Sequence, residues 1–272
     1  MMPGRMVDAF PAAGEEDGAA SGQGPGGGRG VLEGAFAVLQ ELARRGESGL
    51  TELAAATGLP KATTHRLLDQ LVGVGMAHRG TGGRYRVGAR AFCLGQGWQP
   101  APVLRAAAAL PIRRLAAATG DSVSLTVMDA SELLVVVGTA GRCDEVFPLR
   151  PGVVLPVGSA AEAVIAAARP DAAAVSPVSA DAEWAGRVRR ARDDGFALDL
   201  EMTVEPVACA AAPVYAPGGI VVAAVGVTVL ERQRPQSLVD AVRDTAGRIS
   251  ANLARIPGAG RTLFPLGGTN AR

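Results

Sequence analysis

Leu32, Phe36, Leu39 and Ala43 recur at intervals of four, three and four, the spacing of one apolar helix face, and predict a helix over 31–45. After a turn at 46–49, Thr51 is placed to cap a short helix over 52–57, which Gly58-Leu59-Pro60 ends. A third helix follows at once. In it Thr64, Leu67 or Leu68, and Leu71 form the inward stripe, leaving Lys61, Thr63, His65, Arg66, Asp69 and Gln70 outward. Two helices joined so tightly, the second polar on its exposed face, describe a helix-turn-helix. Beyond Gly75 the period shortens to that of strands, over 76–79 and 84–87 around Gly80-Thr81-Gly82-Gly83, which predicts a β-hairpin wing. A short helix near 89–95 leads to a joint rich in Pro and Gly at 97–102.

The pattern then predicts a helix over 103–119, strands over 123–128 and 133–138, and helices over 160–168 and 181–193. Strands over 207–215 and 220–230 are joined by Ala216-Pro217-Gly218-Gly219. A closing helix over 235–256 aligns Leu238, Val242, Ala246, Ile249 and Leu253. Hairpin-linked strands with helices packed on them are the signature of an antiparallel α+β domain. Residues 1–30 contain nine glycines and few large apolar side chains, so a disordered tail is expected there, and a second loose tail at 257–272. The expected organisation is a winged helix-turn-helix with linker helix at 31–97 and an effector-binding and oligomerisation domain at 98–256.

Composition narrows the chemistry. With 272 residues, 48% hydrophobic and 19% charged, the chain has the material for real cores. Its net charge is only +1, so any basic face must be local. Lys61 is the only lysine, and His65 and His78 are the only histidines. Cys93, Cys143 and Cys209 lie far apart without CxxC spacing, which fits neither a disulfide framework nor a zinc site; no metal or other cofactor is expected, and a reducing cytoplasm is. Glu15, Glu16 and Asp17 stand where an export leader would carry positive charge. The longest strongly apolar stretch, 220–230, is far short of the roughly 20 residues of a membrane span and rich in β-branched residues, so it is expected to be a buried strand.

The basic residues missing globally are concentrated locally. Between Lys61 and Arg90 lie Lys61, Arg66, Arg79, Arg84, Arg86 and Arg90 against a single acid, Asp69. A recognition helix flanked by a basic wing suits the dense phosphate charge of duplex DNA. Short side chains such as Thr63 can approach base edges, while Lys61, Arg66 and the wing arginines hold phosphates and set register.

The run Leu50-Thr51-Glu52-Leu53-Ala54-Ala55-Ala56-Thr57-Gly58-Leu59-Pro60-Lys61-Ala62-Thr63-Thr64-His65-Arg66-Leu67-Leu68, followed by Gly83-Arg84-Tyr85-Arg86-Val87-Gly88, resembles the winged helix of IclR-type transcriptional regulators. The resemblance continues through 115–121, Gly195-Phe196-Ala197-Leu198-Asp199 and Cys209-Ala210-Ala211-Ala212-Pro213-Val214, covering about 31–256. It implies a DNA-binding domain and a GAF-like effector domain that takes a small, often acidic, metabolite. It also implies a homodimer or homotetramer on a pseudo-palindromic operator. The DNA-facing set is then Thr51, Lys61, Ala62, Thr63, His65, Arg66, Arg79, Arg84, Tyr85 and Arg86. Asp199, Cys209, Gly226 and Thr228 fall where the family has polar pocket residues, Gly226 without a hydroxyl, and Ser159 joins them. The stretch 155–163 departs from the frequent family pattern, losing its His and Lys.

Two rivals remain. An enzyme over 98–256 using Ser159 or Cys209 as nucleophile would need a base, yet no His or Lys follows His78. A constitutive DNA binder would not need a second domain of this size.

Overall fold

The computed structural model describes residues 30–130, 132–168, 182–231 and 234–267. The expected tail at 1–30 lies outside them except for Gly30, as does Asp181, the first residue of the helix expected at 181–193. The chain divides into two compact units, meeting in sequence at Trp98 and Gln99.

The first unit runs α1 (Val31–Arg45), β1 (Ser48–Gly49), α2 (Leu50–Thr57), α3 (Lys61–Gly73), β2 (Ala77–Arg79), a 3-10 turn, β3 (Arg84–Val87) and α4 (Ala89–Gly95). The three strands form an antiparallel sheet in the order β1-β3-β2. Val38 and Leu42 of α1 pack with Leu53, Leu67, Leu68, Leu71, Ala77 and Tyr85 in one core. This corrects the expected face of α1. Leu32 and Phe36 are 70% and 55% exposed, and the buried stripe is Gly34, Val38 and Leu42. The helix carries two apolar stripes, and glycine at 34 lets it approach α3: a Cβ there would sit 3.1 Å from a Leu67 methyl.

The second unit comprises α5 (Pro100–Thr119), β4 (Ser122–Asp129), β5 (Glu132–Thr139), β6 (Val154–Leu155), α6 (Ala160–Ala167), α7 (Ala182–Asp194), β7 (Ala197–Val204), β8 (Val207–Tyr215), β9 (Val221–Val229), α8 (Arg234–Arg255) and α9 (Ala259–Gly267). Its six-stranded antiparallel sheet has the order β6-β5-β4-β9-β8-β7, the α+β architecture expected. Helices α6 and α7 cover one face, where Ala163, Val164, Trp184 and Val188 meet Ala211 and Ala224; α5, α8 and α9 pack on the other. The α9 helix takes up Ala259–Gly267 of the loose tail expected at 257–272, because Ala259 and Leu263 find buried places against the sheet; 268–272 lie outside the described residues. Leu104 and Leu115 of α5 are buried within the unit. No helix among the described residues is long and apolar enough to cross a membrane.

Candidate functional site

The nucleic-acid face is built on α3. Lys61, Ala62, His65, Arg66, Asp69 and Gln70 are exposed, Thr63 is half-buried, and Thr64, Leu67, Leu68 and Leu71 point into the core. The helix starts cleanly after Pro60, whose carbonyl accepts from both the amide and the hydroxyl of Thr64. His65 Nδ1 lies 3.1 Å from the Asp69 carboxylate one turn on.

The wing sorts its cations. Arg84 donates to the Glu47 carbonyl at 2.7 Å and reaches the Glu52 carboxylate at 3.3 Å, so it braces the module. The Gly49 amide, then the Arg84 charge, holds the Glu52 carboxyl below the usual carboxylate range. Arg79 lies over the Tyr85 ring at 5.7 Å. Among the described residues Lys61, Arg66 and Arg86 are exposed and their side chains make no hydrogen bond or ion pair.

Two expectations need correction here. Tyr85 is 2% exposed and belongs to the core of the unit, because it sits mid-strand between Ser48 and Arg79. Thr51 lies in the first turn of α2 instead of capping it; the cap is Gly49, whose amide is closed by the Glu52 carboxylate at 2.9 Å.

The second site is a cavity of about 40 Å³ at the β7-β8-β9 side of the sheet. The register pairs Asp199 with Cys209 and Cys209 with Thr228, so these three residues stand side by side on adjacent strands. All three line the cavity, together with Ser159 and Thr203 and an apolar wall of Phe147, Leu149, Leu155, Pro156, Val204 and Val207. Gly226 lies two residues before Thr228 on the same sheet face, opposite Ala211, and is not part of the wall. Thr203 and the wall from 147 to 156 went unread in the sequence. Thr203 had a signal, since polar Asp199, Glu201 and Thr203 alternate with Leu198, Leu200 and Met202 as a half-buried strand requires.

The cavity's polar groups differ in what remains free. Asp199, 2% exposed, accepts from the Met202 amide through Oδ1 at 2.9 Å. Ser159 caps α6, its hydroxyl accepting from the Glu162 amide at 3.4 Å. The Glu162 side chain, 4% exposed, turns back to accept from the Gly158 amide. Burial, and then the Asp199 charge, pushes the Cys209 thiol up to about 12, so it offers no thiolate nucleophile at neutral pH. Burial likewise raises Cys143, whose Sγ donates to the Thr228 carbonyl at 3.5 Å. No group of three or more potential metal-ligating side chains occurs among the described residues.

Comparison with known proteins connects the two units. The IclR helix-turn-helix domain matches residues 31–80, and the bacterial transcriptional regulator IclR C-terminal domain matches 182–251. The glycerol operon regulatory protein of Streptomyces griseus is 35% identical over 253 residues, 85% of this chain and 97% of the relative. The chain belongs to the IclR family. It is an IclR-type DNA-binding transcriptional regulator. The Streptomyces coelicolor protein of the same name is 34% identical over 254 residues, again 85% of this chain and 97% of the relative. An IclR homolog from Microbacterium hydrocarbonoxydans, solved with 4-hydroxybenzoate, shares the fold. Its TM-score is 0.69 at 21% identity, covering 84% of this chain and all of that one (100%). Within the IclR architecture, the first match spans α1 to β2 and the second spans α7 to most of α8.

Proposed function

We propose that this regulator acts in the cytoplasm as a homodimer or homotetramer on a pseudo-palindromic duplex operator, and that a small molecule in the β7-β8-β9 cavity controls it. The observation that carries the effector reading is the row of Asp199, Cys209 and Thr228 set into an otherwise apolar wall. A few orienting polar groups in an apolar recess are the usual form of a metabolite site.

On DNA, α3 enters the major groove with Thr63 toward base edges, while Lys61, Arg66 and Arg86 neutralise phosphates. One such helix reads too few base pairs for useful specificity, so two copies on half-sites about 34 Å apart supply it. A second copy would cover the outward stripe of α1, where Leu32 and Phe36 lie open. The Streptomyces relatives, named for glycerol operons, make genes of polyol use the first places to seek an operator. The test is operator binding by fluorescence anisotropy, with and without a panel of small metabolites. A ligand that changes operator affinity in the parent, and does so far less in Thr228→Val, supports the reading. Equal responses in the two proteins overturn it.

A further inference from the structure

The family resemblance leads one to expect an acidic effector, and the cavity walls argue for a different class. A carboxylate ligand needs a cation or free backbone amides. Among the described residues, no Arg, Lys or His lines the cavity, and its one charged wall residue is Asp199. Arg187, whose charge reaches Cys209, stacks 5.5 Å from the Trp184 ring, donates to the Leu198 carbonyl and is not part of the wall.

The other source of positive potential is the N-terminus of α6, which begins beside the cavity at Ser159. Much of that end is already engaged by the chain's own acceptors. The Gly158 amide goes to the buried Glu162 carboxylate, the Glu162 amide to the Ser159 hydroxyl, and the Ala160 amide to the Cys209 sulfur. An incoming anion would compete with those partners for that end and would face the Asp199 carboxylate besides.

In a lining whose accessible surface is almost wholly apolar, the walls leave open a small acceptor and hydroxyl capacity. Asp199 is 98% buried by its 2% exposure and uses one oxygen on Met202, while the second has no partner among the described residues. Thr228 is 6% exposed, lines the cavity, and its hydroxyl makes no hydrogen bond among the described residues. Ser159 uses its hydroxyl only as an acceptor and keeps its proton to donate. These groups match a ligand bearing several hydroxyls on a short carbon chain, whose CH faces meet Leu155, Val204 and Val207. A volume of about 40 Å³ is room for only a few water-sized groups. An ammonium ligand would meet a single, half-occupied carboxylate in a largely apolar recess, where the desolvation of a cation is poorly offset.

Resting on the effector reading above, we propose that the cavity recognises a small neutral polyol of about three or four carbons, with Asp199 Oδ2 accepting one hydroxyl and Thr228 and Ser159 engaging others.

The experiment is isothermal titration of the full chain with glycerol and erythritol, against glycerate and ethanolamine as anionic and cationic counterparts of similar size. A polyol is expected to bind with a Kd no weaker than about 10 mM, and at least about tenfold more tightly than glycerate or ethanolamine. Asp199→Asn, which keeps the acceptor for the Met202 amide, is expected to narrow the polyol-to-glycerate ratio by about tenfold; Thr228→Val weakens the polyol. Circular dichroism of both variants checks that they fold. If glycerate binds as tightly as the polyols and Thr228→Val weakens it, the effector cavity stands and the polyol class is overturned. Tighter binding of ethanolamine also overturns the class. If polyol binding is absent, or is untouched by both substitutions, the proposal fails.

Discussion

The cations of the winged helix carry the same formal charge and do different work. Arg66 and Arg86 are exposed without partners among the described residues, whereas Arg84 is held by Glu47 and Glu52. Arg66→Ala and Arg86→Ala are each expected to weaken binding to all duplexes and to lower the slope of log K against log salt by about one. Arg84→Ala should change that slope less and lower the melting temperature of the module more. Salt titrations and thermal denaturation of the three variants decide it, and equal slopes with equal melting temperatures would remove the distinction. At cysteine, Cys93 is exposed and should label readily with iodoacetamide at pH 8. Native Cys209, pushed up to about 12, keeps roughly one thiolate in ten thousand there. The same shift has a stability consequence. Below about pH 9 both native and unfolded chains hold this proton; above it the unfolded chain loses the proton first, so stability falls as pH rises toward 12, by about 1.4 kcal/mol per unit. Cys209→Ser should flatten that alkaline slope in urea melts, and an unchanged slope counts against the buried thiol. Residue chemistry of this kind is only half legible in a sequence. Lys61 and Arg66 could be assigned outward from period alone, but that Arg84 is tied down depends on β1 bringing Gly49 beside it, a pairing of two residues too short to show any period.

At the scale of elements, periodicity found the helices more surely than it chose their faces. In α1 the stripe Leu32-Phe36-Leu39-Ala43 is as regular as Gly34-Val38-Leu42, and hydrophobicity favours the first because glycine contributes none. Close approach to α3 decides for the second. Phe36→Ser should therefore leave the melting temperature of the module almost unchanged while weakening self-association in sedimentation. A large loss of stability would put Phe36 back in the core. The β8-β9 hairpin was legible from Ala216-Pro217-Gly218-Gly219, but its register was not. A four-residue connection would set Cys209 opposite Gly226, and a five-residue connection with a shift between Val214 and Tyr215 sets it opposite Thr228. β7 was overlooked and with it the third strand of the cavity row, although its alternation was plain. Gly88 is a position no pattern marks. A Cβ there would lie 2.2 Å from the Gly75 carbonyl oxygen, where the end of the wing passes the turn after α3. Backbone cannot yield as a side chain can, so Gly88→Ala should cost roughly 1–3 kcal/mol in urea denaturation. A cost within about 0.5 kcal/mol would mean that the two segments separate freely.

For the whole molecule, the consequence of joining a duplex-binding unit to a ligand-binding unit is reciprocity. If the cavity ligand changes operator affinity by some factor, operator DNA must change ligand affinity by the same factor, because both legs close one thermodynamic cycle. Coupling of this kind is typically about 1–3 kcal/mol, or roughly 5- to 150-fold. It requires two states that the ligand binds unequally; a ligand indifferent to them shifts nothing however tightly it binds. The expected outcome is that the effector's Kd, titrated on the free protein and again on protein saturated with operator, differs by the factor measured independently from operator affinity with and without effector. The two experiments share no observable, since one reads heat at the cavity and the other anisotropy of labelled DNA, so their agreement tests the coupling itself. Equal effector Kd values with and without operator would make the second unit a binding module with no hold over the first, and the regulator constitutive on DNA.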